Sequence, residues 1–81
     1  MSKMVIRNRI RELRFQSGEM TQQALADLVG ITRQTVIALE KGKYYPSLEL
    51  AFRIAAAFNT PVEQVFEVAR DLPSRKSGGK K

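Results

Sequence analysis

Residues 22–41 read QQALADLVGITRQTVIALEK, and this stretch decides the fold. It predicts two short helices separated at Gly30, because glycine adopts the left-handed conformation that ends a helix at little steric cost. Thr21 and Thr32 stand where a side-chain oxygen can accept a free N–H of a first helical turn. Ala26 is small enough to let the two helices cross closely. The stretch therefore predicts a helix-turn-helix unit, in which a short turn joins two helices.

The two helices of this unit divide their residues between an interior and an exposed face. The predicted interior residues are Leu25, Val29, Ile31, Val36 and Leu39, with Leu28 on the buried edge of the first helix. The second helix, about residues 33–41, is left with an exposed set of Arg33, Gln34, Thr35, Ile37 and Ala38. Arginine can contact guanine through two hydrogen bonds, glutamine can contact adenine likewise, and thymine methyl groups offer apolar contacts. The exposed face therefore suits the major groove of DNA, although Ile37 has the alternative of partial burial against the next helix.

Apolar residues at helical spacing predict three more helices around the unit. One covers residues 4–17, and a second runs from a cap at Ser47 to a stop at Asn59. Residues 60–63, Thr-Pro-Val-Glu, form a capping box that starts a short final helix with proline at its first position. The predicted fold class is all-α, with five helices in one domain over residues 1–71.

Two segments near the ends of this domain are also compatible with extended structure. The first is Met4-Val5-Ile6, which the spacing of Ile6, Ile10 and Leu13 otherwise assigns to the first helix. The second is Val65-Phe66-Glu67-Val68. Pairing of the N-terminal segment with the chain near Val68, within or between subunits, is therefore a second hypothesis.

Basic residues are concentrated at the two ends of the sequence. The chain has 14 Lys and Arg against 8 Asp and Glu, a net charge of +6. Residues 1–14 and 72–81 are both basic, whereas the middle of the chain is slightly acidic. Basic ends suit a polyanionic partner such as nucleic acid, and solubility is the alternative explanation. Residues 73–81 contain no large apolar side chain, so we expect a disordered tail over residues 72–81.

The composition excludes several functional classes. The chain has no Cys and no His, which removes disulfides, most zinc sites and the commonest general base. We expect no catalytic residues, metal or cofactor, and no small-molecule substrate, because no sensory domain fits in the remaining length. No apolar run approaches the ~20 residues of a membrane span, and no signal peptide opens the chain. The expected location is therefore cytoplasmic and nucleoid-associated, with no membrane partner.

From about Arg7 to Phe66 the sequence resembles the Cro/CI-type (Xre) helix-turn-helix family of bacterial and phage regulators. The matching pieces are RNRIRELR, TQQALADLVGITRQTVIALEKGK, YPSLELAFRIAAAFN and TPVEQVF, in that order. The resemblance is greatest to short, stand-alone members, and it implies a five-helix, lambda-repressor-like DNA-binding domain. The sequence departs from the family at SGEMTQ, which is one residue longer than the commonest link between the first two helices.

Together with the chemistry above, the resemblance implies a set of DNA contacts, with residues 33–41 as the recognition helix. Base contacts are expected from Arg33, Gln34, Ile37 and Ala38. Phosphate contacts are expected from Thr21, Gln22, Thr32, Thr35, Lys41, Lys43 and Tyr44. Gln22 also matches a position that braces the first residue of the recognition helix. Arg14 and Glu40 match a buried ion pair that joins the first helix to the end of the third.

We expect a homodimer on a palindromic operator, because two recognition helices then meet successive major grooves about 34 Å apart. The expected interface is Val62, Val65, Phe66 and Val68, and the alternative is that these residues only complete the monomer core. A repressor or autoregulator is the expected role. An antitoxin that binds both its operator and a toxin protein remains an alternative. A protein–protein adaptor of the same fold is another, against which the exposed Arg33 and Gln34 argue.

Overall fold

The computed structural model describes residues 4–70 as five short helices and two short strands. In chain order these elements are β1 (Val5–Asn8), α1 (Ile10–Gln16), α2 (Gln22–Val29), α3 (Arg33–Glu40), α4 (Leu48–Ala57), α5 (Val62–Val65) and β2 (Phe66–Arg70). The predicted five-helix fold is confirmed, with a small antiparallel sheet added to it. Within residues 4–70 no helix is long and apolar enough to cross a membrane. The predicted tail, residues 72–81, lies outside the described residues.

The helix-turn-helix unit begins each of its helices as its sequence predicts. Thr21 Oγ1 accepts a hydrogen bond from the N–H of Ala24 at 2.9 Å, which caps α2. Thr32 Oγ1 accepts from the N–H of Thr35 at 3.1 Å, which caps α3. Between the helices, Gly30 has φ +79°, a conformation that a side chain would disfavour. The boundaries of this unit therefore depend on residues inside it.

One apolar core joins all five helices. Its buried members are Ile10, Leu13, Leu25, Ala26, Val29, Val36, Leu39, Leu50, Ile54, Ala55, Phe58 and Val65. Leu28 is an exception to the predicted interior, because 62% of its surface is exposed. In α2 the inward stripe consists of Leu25, Ala26 and Val29, and residue 28 lies to one side of that stripe. The prediction for Leu28 was wrong, since it rested on hydrophobicity rather than on helical angle.

The prediction of a helix from residue 4 was also wrong at its start. Residues 5–8 form β1, which pairs antiparallel with β2 and sets Ile6 opposite Val68. The hypothesis of pairing near Val68 is thus confirmed within one chain. The helix α1 begins only at Ile10, whose N–H donates to Asn8 Oδ1 at 3.1 Å. The spacing from Ile6 to Ile10 fits a helix locally, but the long-range strand pairing determines the conformation of this end.

The capping box predicted at residues 60–63 does not form. Thr60 Oγ1 donates to the carbonyl of Phe58 at 2.9 Å, and no side chain caps α5. Asn59 has φ +52°, and this left-handed turn brings the Thr60 hydroxyl back towards α4. The short helix α5 therefore begins at Val62, and Pro61 precedes it instead of occupying its first turn.

Candidate nucleic-acid interface

The helix α3 divides cleanly between core and surface. Val36 and Leu39 are almost wholly buried, which fixes the rotation of α3 about its axis. Arg33 and Gln34 lie exposed at its start. Thr35, Ile37 and Ala38 are partly buried beside them. The residues predicted to contact bases therefore lie on the side of α3 that faces away from the core.

Two shallow depressions flank this outer side of α3. One is lined by Gln34, Thr35, Ala38 and Tyr44. The other, here called the α1-side depression, is lined by Arg11, Arg14, Phe15, Thr21, Gln22, Ile37, Glu40 and Lys41. Ile37 thus borders α1 and the start of α2 in this depression, whereas the sequence had offered α4 as its neighbour. The fold brings most of the predicted DNA contacts together around α3.

Beneath the α1-side depression lies the ion pair of Arg14 and Glu40. The Arg14 guanidinium donates from Nε to Glu40 Oε2 at 2.7 Å and from Nη2 to Glu40 Oε1 at 3.2 Å. Its third group, Nη1, donates to the carbonyl of Met20 at 2.8 Å. Arg14 is only 6% exposed, so the pair is a buried link between α1 and the end of α3. The ion pair implied by the resemblance is therefore present.

Gln22 makes a different contact from the one expected of it. Its Nε2 donates to Glu40 Oε1 at 3.2 Å, so it joins the Arg14–Glu40 pair at the last residue of α3. The expected brace was instead to Arg33, at the first residue of that helix. A buried carboxylate gains by accepting several donors, and Glu40 offers that acceptor close to the start of α2.

The basic side chains of the described residues include both paired and unpaired ones. Arg9, Arg14 and Arg53 form ion pairs with Glu12, Glu40 and Glu49 respectively. The hydrogen bond from Arg9 and its positive charge lower the pKa of Glu12, and the same contact raises the pKa of Arg9. Within residues 4–70, by contrast, no ion pair involves Arg7, Arg11, Arg33, Lys41 or Lys43. Arg7 lies opposite Glu67 in the sheet. Of the other four, Arg33 is on α3, Lys41 and Lys43 directly follow α3, and Arg11 lies across the α1-side depression from it.

The loop after α3 carries Lys43 and Tyr44, both exposed. It leaves the helix through Gly42 at φ +74°, and the N–H of Lys43 donates to the carbonyl of Ala38 at 3.0 Å. Farther along the loop, Tyr45 Oη accepts from the N–H of Ile6 at 3.2 Å. The loop that was predicted to follow the phosphate backbone is thus attached to α3 at one end and to β1 at the other.

Asn8 is a positioning residue that the sequence analysis missed. Its Nδ2 donates to the carbonyl of Leu39 at 2.8 Å while its Oδ1 accepts from Ile10. One side chain therefore connects β1, the start of α1 and the end of α3. An asparagine two residues before an apolar helical stripe is a capping signal, and that signal was available. No pattern in the neighbouring residues indicates its second contact, which joins it to Leu39 on α3.

The SGEMTQ link between α1 and α2, which the resemblance predicts to be one residue longer than usual, turns sharply in its backbone. Gly18 and Glu19 both take left-handed conformations, with φ +74° and +58°. The chain then returns so that the N–H of Met20 donates to the carbonyl of Arg14 at 2.8 Å. A left-handed glutamate is uncommon, so this turn is held in place by its surroundings. Thr21 nevertheless reaches its capping position at α2.

The four residues predicted for a dimer interface have very different exposures. Val65 is fully buried in the core, which corrects the expectation that it is available to a second subunit. Val62 and Phe66 are partly buried and pack against that core. Val68, on β2, is 47% exposed. Burial of Val65 follows from its place at the junction of α5 and β2, where the N–H of Arg9 donates to its carbonyl at 2.9 Å.

Comparison with known proteins assigns this geometry to a family. A family model described as "Helix-turn-helix" matches residues 10–65, which run from the first residue of α1 to the last residue of α5. The chain belongs to the Cro/CI-type helix-turn-helix family. This family consists of DNA-binding transcriptional regulators and is not an enzyme family.

Several relatives support the same assignment across most of the chain. An uncharacterized HTH-type transcriptional regulator of Archaeoglobus fulgidus is 54% identical over 61 residues, which cover 75% of this chain and 86% of the relative. A similar protein of Methanothermobacter thermautotrophicus is 52% identical over 67 residues, covering 82% and 96% respectively. The Bacillus subtilis HTH-type regulator YgzD is 49% identical over 61 residues, covering 75% and 91%.

Solved structures show the same helix-turn-helix fold. The restriction-modification controller protein C.AhdI from Aeromonas hydrophila superposes with a TM-score of 0.64 at 34% identity, covering 69% of this chain and 80% of that one. A structure from Bacteroides fragilis superposes with a TM-score of 0.69 at 24% identity, covering 76% and 98%, and shows the fold alone.

Proposed function

We propose that the protein is a transcriptional regulator that binds double-stranded DNA sequence-specifically, as a dimer, with α3 in the major groove. The observation that carries this proposal is the exposed side of α3. There Arg33, Gln34, Ile37 and Ala38 lie outside the core, beside cations that have no ion pair within residues 4–70. Side chains of these types are the ones that distinguish base edges. Most simply, the protein acts as a repressor or autoregulator.

Selection of bound sequences from a random duplex library, at a salt concentration near 0.15 M, tests the proposal. We expect recovery of a two-fold symmetric site with half-sites about 10 base pairs apart, because that spacing brings successive major grooves to one side of the duplex. Binding that shows no sequence preference and disappears with added salt would contradict it. That outcome would direct attention to an adaptor, or to an antitoxin that needs its partner to bind well.

Base reading and phosphate contact by α3 can be separated with two variants. Arg33→Ala and Gln34→Ala each remove one exposed side chain without touching the core. Loss of preference at one operator position, worth about 1–3 kcal/mol, identifies a base contact. A uniform loss across sequences with a reduced salt dependence identifies a phosphate contact. Lys41→Ala and Lys43→Ala are expected to show only the second pattern.

Dimer formation is proposed through β2, where the side chain of Val68 is exposed and no third strand pairs within residues 4–70. Opposite Val68, the N–H of Ile6 donates to Tyr45 Oη and not to β2. In an antiparallel pair of this type, the backbone groups of both residues point away from the partner strand. The N–H and C=O of Val68 therefore point away from β1, and a second β2 can pair with them. Val62 and Phe66, the other two predicted interface residues that keep some exposure, lie on α5 and at the start of β2.

Sedimentation equilibrium of two matched variants tests this interface. Val68→Lys introduces a charge at the proposed interface, and Leu28→Lys introduces one at an equally apolar, exposed position on α2. We expect Val68→Lys to shift the protein towards monomer and Leu28→Lys to leave the dimer unchanged. A dimer that tolerates Val68→Lys would place the interface elsewhere.

A further inference from the structure

We propose that Arg11, held by Phe15, forms an additional contact with the DNA backbone on the α1 side of the recognition helix. This inference rests on the proposed function and extends the DNA-binding surface to α1. The family's helix-turn-helix segment and the loop after it had supplied every phosphate contact predicted from the sequence. The α1-side depression, however, is bordered on its outer side by α1 itself.

Electrostatics in the α1-side depression favour an anion. The two charges at its base, Arg14 and Glu40, neutralise each other through two hydrogen bonds. The exposed cations that remain on its rim are Arg11 and Lys41, on opposite elements. Neither forms an ion pair within residues 4–70. The net charge presented by the depression is therefore positive.

The carboxylate next to Arg11 in the sequence is engaged elsewhere. Glu12 accepts hydrogen bonds from Arg9 at 3.2 and 3.3 Å, through both of its oxygens, and another from Gln16 at 3.3 Å. Its charge is thereby committed to Arg9, one residue before α1. Arg11 keeps its charge and its hydrogen-bond donors available for a ligand.

The ring of Phe15 lies beside this guanidinium and attracts it. The Arg11 Cζ lies 5.4 Å from the centroid of the Phe15 ring, one helical turn farther along α1. The Arg14 Cζ lies 5.3 Å from the same ring, so Phe15 contacts both arginines. The ring is 51% exposed, which is otherwise unfavourable for a phenylalanine beside a polar depression. An aromatic ring orients a planar guanidinium, whose parallel N–H groups match two oxygens of a phosphate.

The location of Arg11 indicates the phosphodiester backbone and not the bases. With α3 in a major groove about 12 Å wide, the elements beside α3 meet the strands that border the groove. Thr21, Gln22 and Lys41, all expected phosphate contacts, line the same depression as Arg11. One backbone strand can therefore run between α1 and the end of α3, with Arg11 on one side and Lys41 on the other.

Salt dependence of binding to a 20-base-pair duplex of mixed sequence tests the proposal, because each phosphate contact contributes about 0.9 to the slope of log K against log salt. We expect Arg11→Ala to reduce the slope by about 0.9 per subunit and the affinity about fivefold per subunit at 0.15 M salt. Arg11→Lys keeps the charge and should retain the slope, with weaker binding from the loss of the planar fork.

Arg53→Ala is the matched control, because it removes one exposed arginine charge from α4. Its slope should equal that of the wild type, and thermal unfolding should show all the variants folded. If the wild type binds and Arg11→Ala has the same slope as Arg53→Ala, Arg11 does not contact the DNA backbone. The proposed DNA-binding function would stand in that case. Failure of the wild type to bind any duplex, even at low salt, would overturn the proposed function as well.

Discussion

The helix-turn-helix unit and the terminal sheet are held together by different kinds of contact. In the unit, a threonine caps each helix by accepting a hydrogen bond from the N–H three residues later. Gly30, in a left-handed conformation, forms the turn between the helices. In the sheet, Ile6 pairs with Val68, from the opposite end of the domain. The first region is specified by neighbours in the sequence, and the second depends on pairing between residues from opposite ends of the domain.

The helix-turn-helix unit is joined at the end of α3 to the two elements that precede it, α1 and β1, through side chains. Arg14 reaches Glu40 from α1, and Asn8 reaches the carbonyl of Leu39 from β1. The position of the recognition helix therefore depends on residues outside the helix-turn-helix unit. Variants at these contacts measure how far the unit depends on the remainder of the fold.

The largest effect is expected for Arg14→Ala. It leaves the buried Glu40 carboxylate without its arginine and the Met20 carbonyl without its donor. Breaking a buried ion pair in this way costs about 3–5 kcal/mol of unfolding free energy, measured by urea denaturation. Arg9→Ala is the control and should change stability little, because both the ion pair with Glu12 and the hydrogen bond to the Gln64 carbonyl that it removes are exposed. Similar losses in both variants would show that burial does not distinguish the pairs.

A smaller loss of unfolding free energy is expected for Asn8→Ala, which removes the hydrogen bond between β1 and the end of α3. The N–H of Ile10 loses its acceptor, and the carbonyl of Leu39 loses one donor but keeps the N–H of Gly42, at 3.0 Å. The expected decrease in unfolding free energy is about 1–3 kcal/mol, since these groups are partly buried. Tyr45→Phe removes the acceptor for the N–H of Ile6, where water can replace it, and should cost less. A larger loss of unfolding free energy for Tyr45→Phe would show that the Tyr45–Ile6 hydrogen bond stabilises the fold more than the contacts of Asn8 do.

Substituting Thr32 and Thr60 compares a helix cap that forms with a predicted cap that does not form. Thr32→Ala removes the cap of α3 and should cost about 1 kcal/mol in thermal or urea unfolding. Thr60→Ala removes only a hydroxyl that donates to Phe58, so a smaller loss is expected. If both variants are destabilised equally, Thr60 stabilises the fold by some means other than capping.

The smallest effect concerns the pH dependence contributed by Glu12. Because Arg9 lowers its pKa in the folded protein, the pair stabilises the fold above about pH 4.3, the ordinary pKa of a glutamate. That contribution should disappear as the pH falls through the lowered pKa. Comparing wild type with Glu12→Gln in urea, the small difference at pH 7 should vanish once the pH lies below the lowered pKa of Glu12. A difference that persists at low pH would exclude the ion pair as its cause.

Much of the candidate site was predictable because its determinants lie close together in the sequence. Thr21, Gly30 and Thr32 fixed the helix boundaries, and the burial of Val36 and Leu39 then determined which side of α3 is exposed. The resemblance to a family added the Arg14–Glu40 pair, which no local pattern reveals. The contact from Gln22 was assigned to the wrong end of α3, because the family position implies a phosphate contact but not which neighbour orients the side chain.

The errors came from residues whose partners are distant or whose angular position is decisive. Leu28 is apolar and lies on an amphipathic helix, yet its angle around α2 places it outside the core. Thr60 has the sequence of a cap, but a left-handed Asn59 turns its hydroxyl towards α4. Val65 was counted as surface because nothing local shows that it lies between α5 and the core.

The sequence by itself determined the helix-turn-helix unit, its caps, the outward-facing set on α3 and the family. These follow from hydrogen bonds and side-chain spacing within a few residues, which the order of residues specifies directly. Only the tertiary structure decided the sheet, the contacts of Asn8 and Tyr45, and the approach of Arg11 to the recognition helix. These contacts join residues far apart along the chain, and they form because burial of one common core brings their elements together.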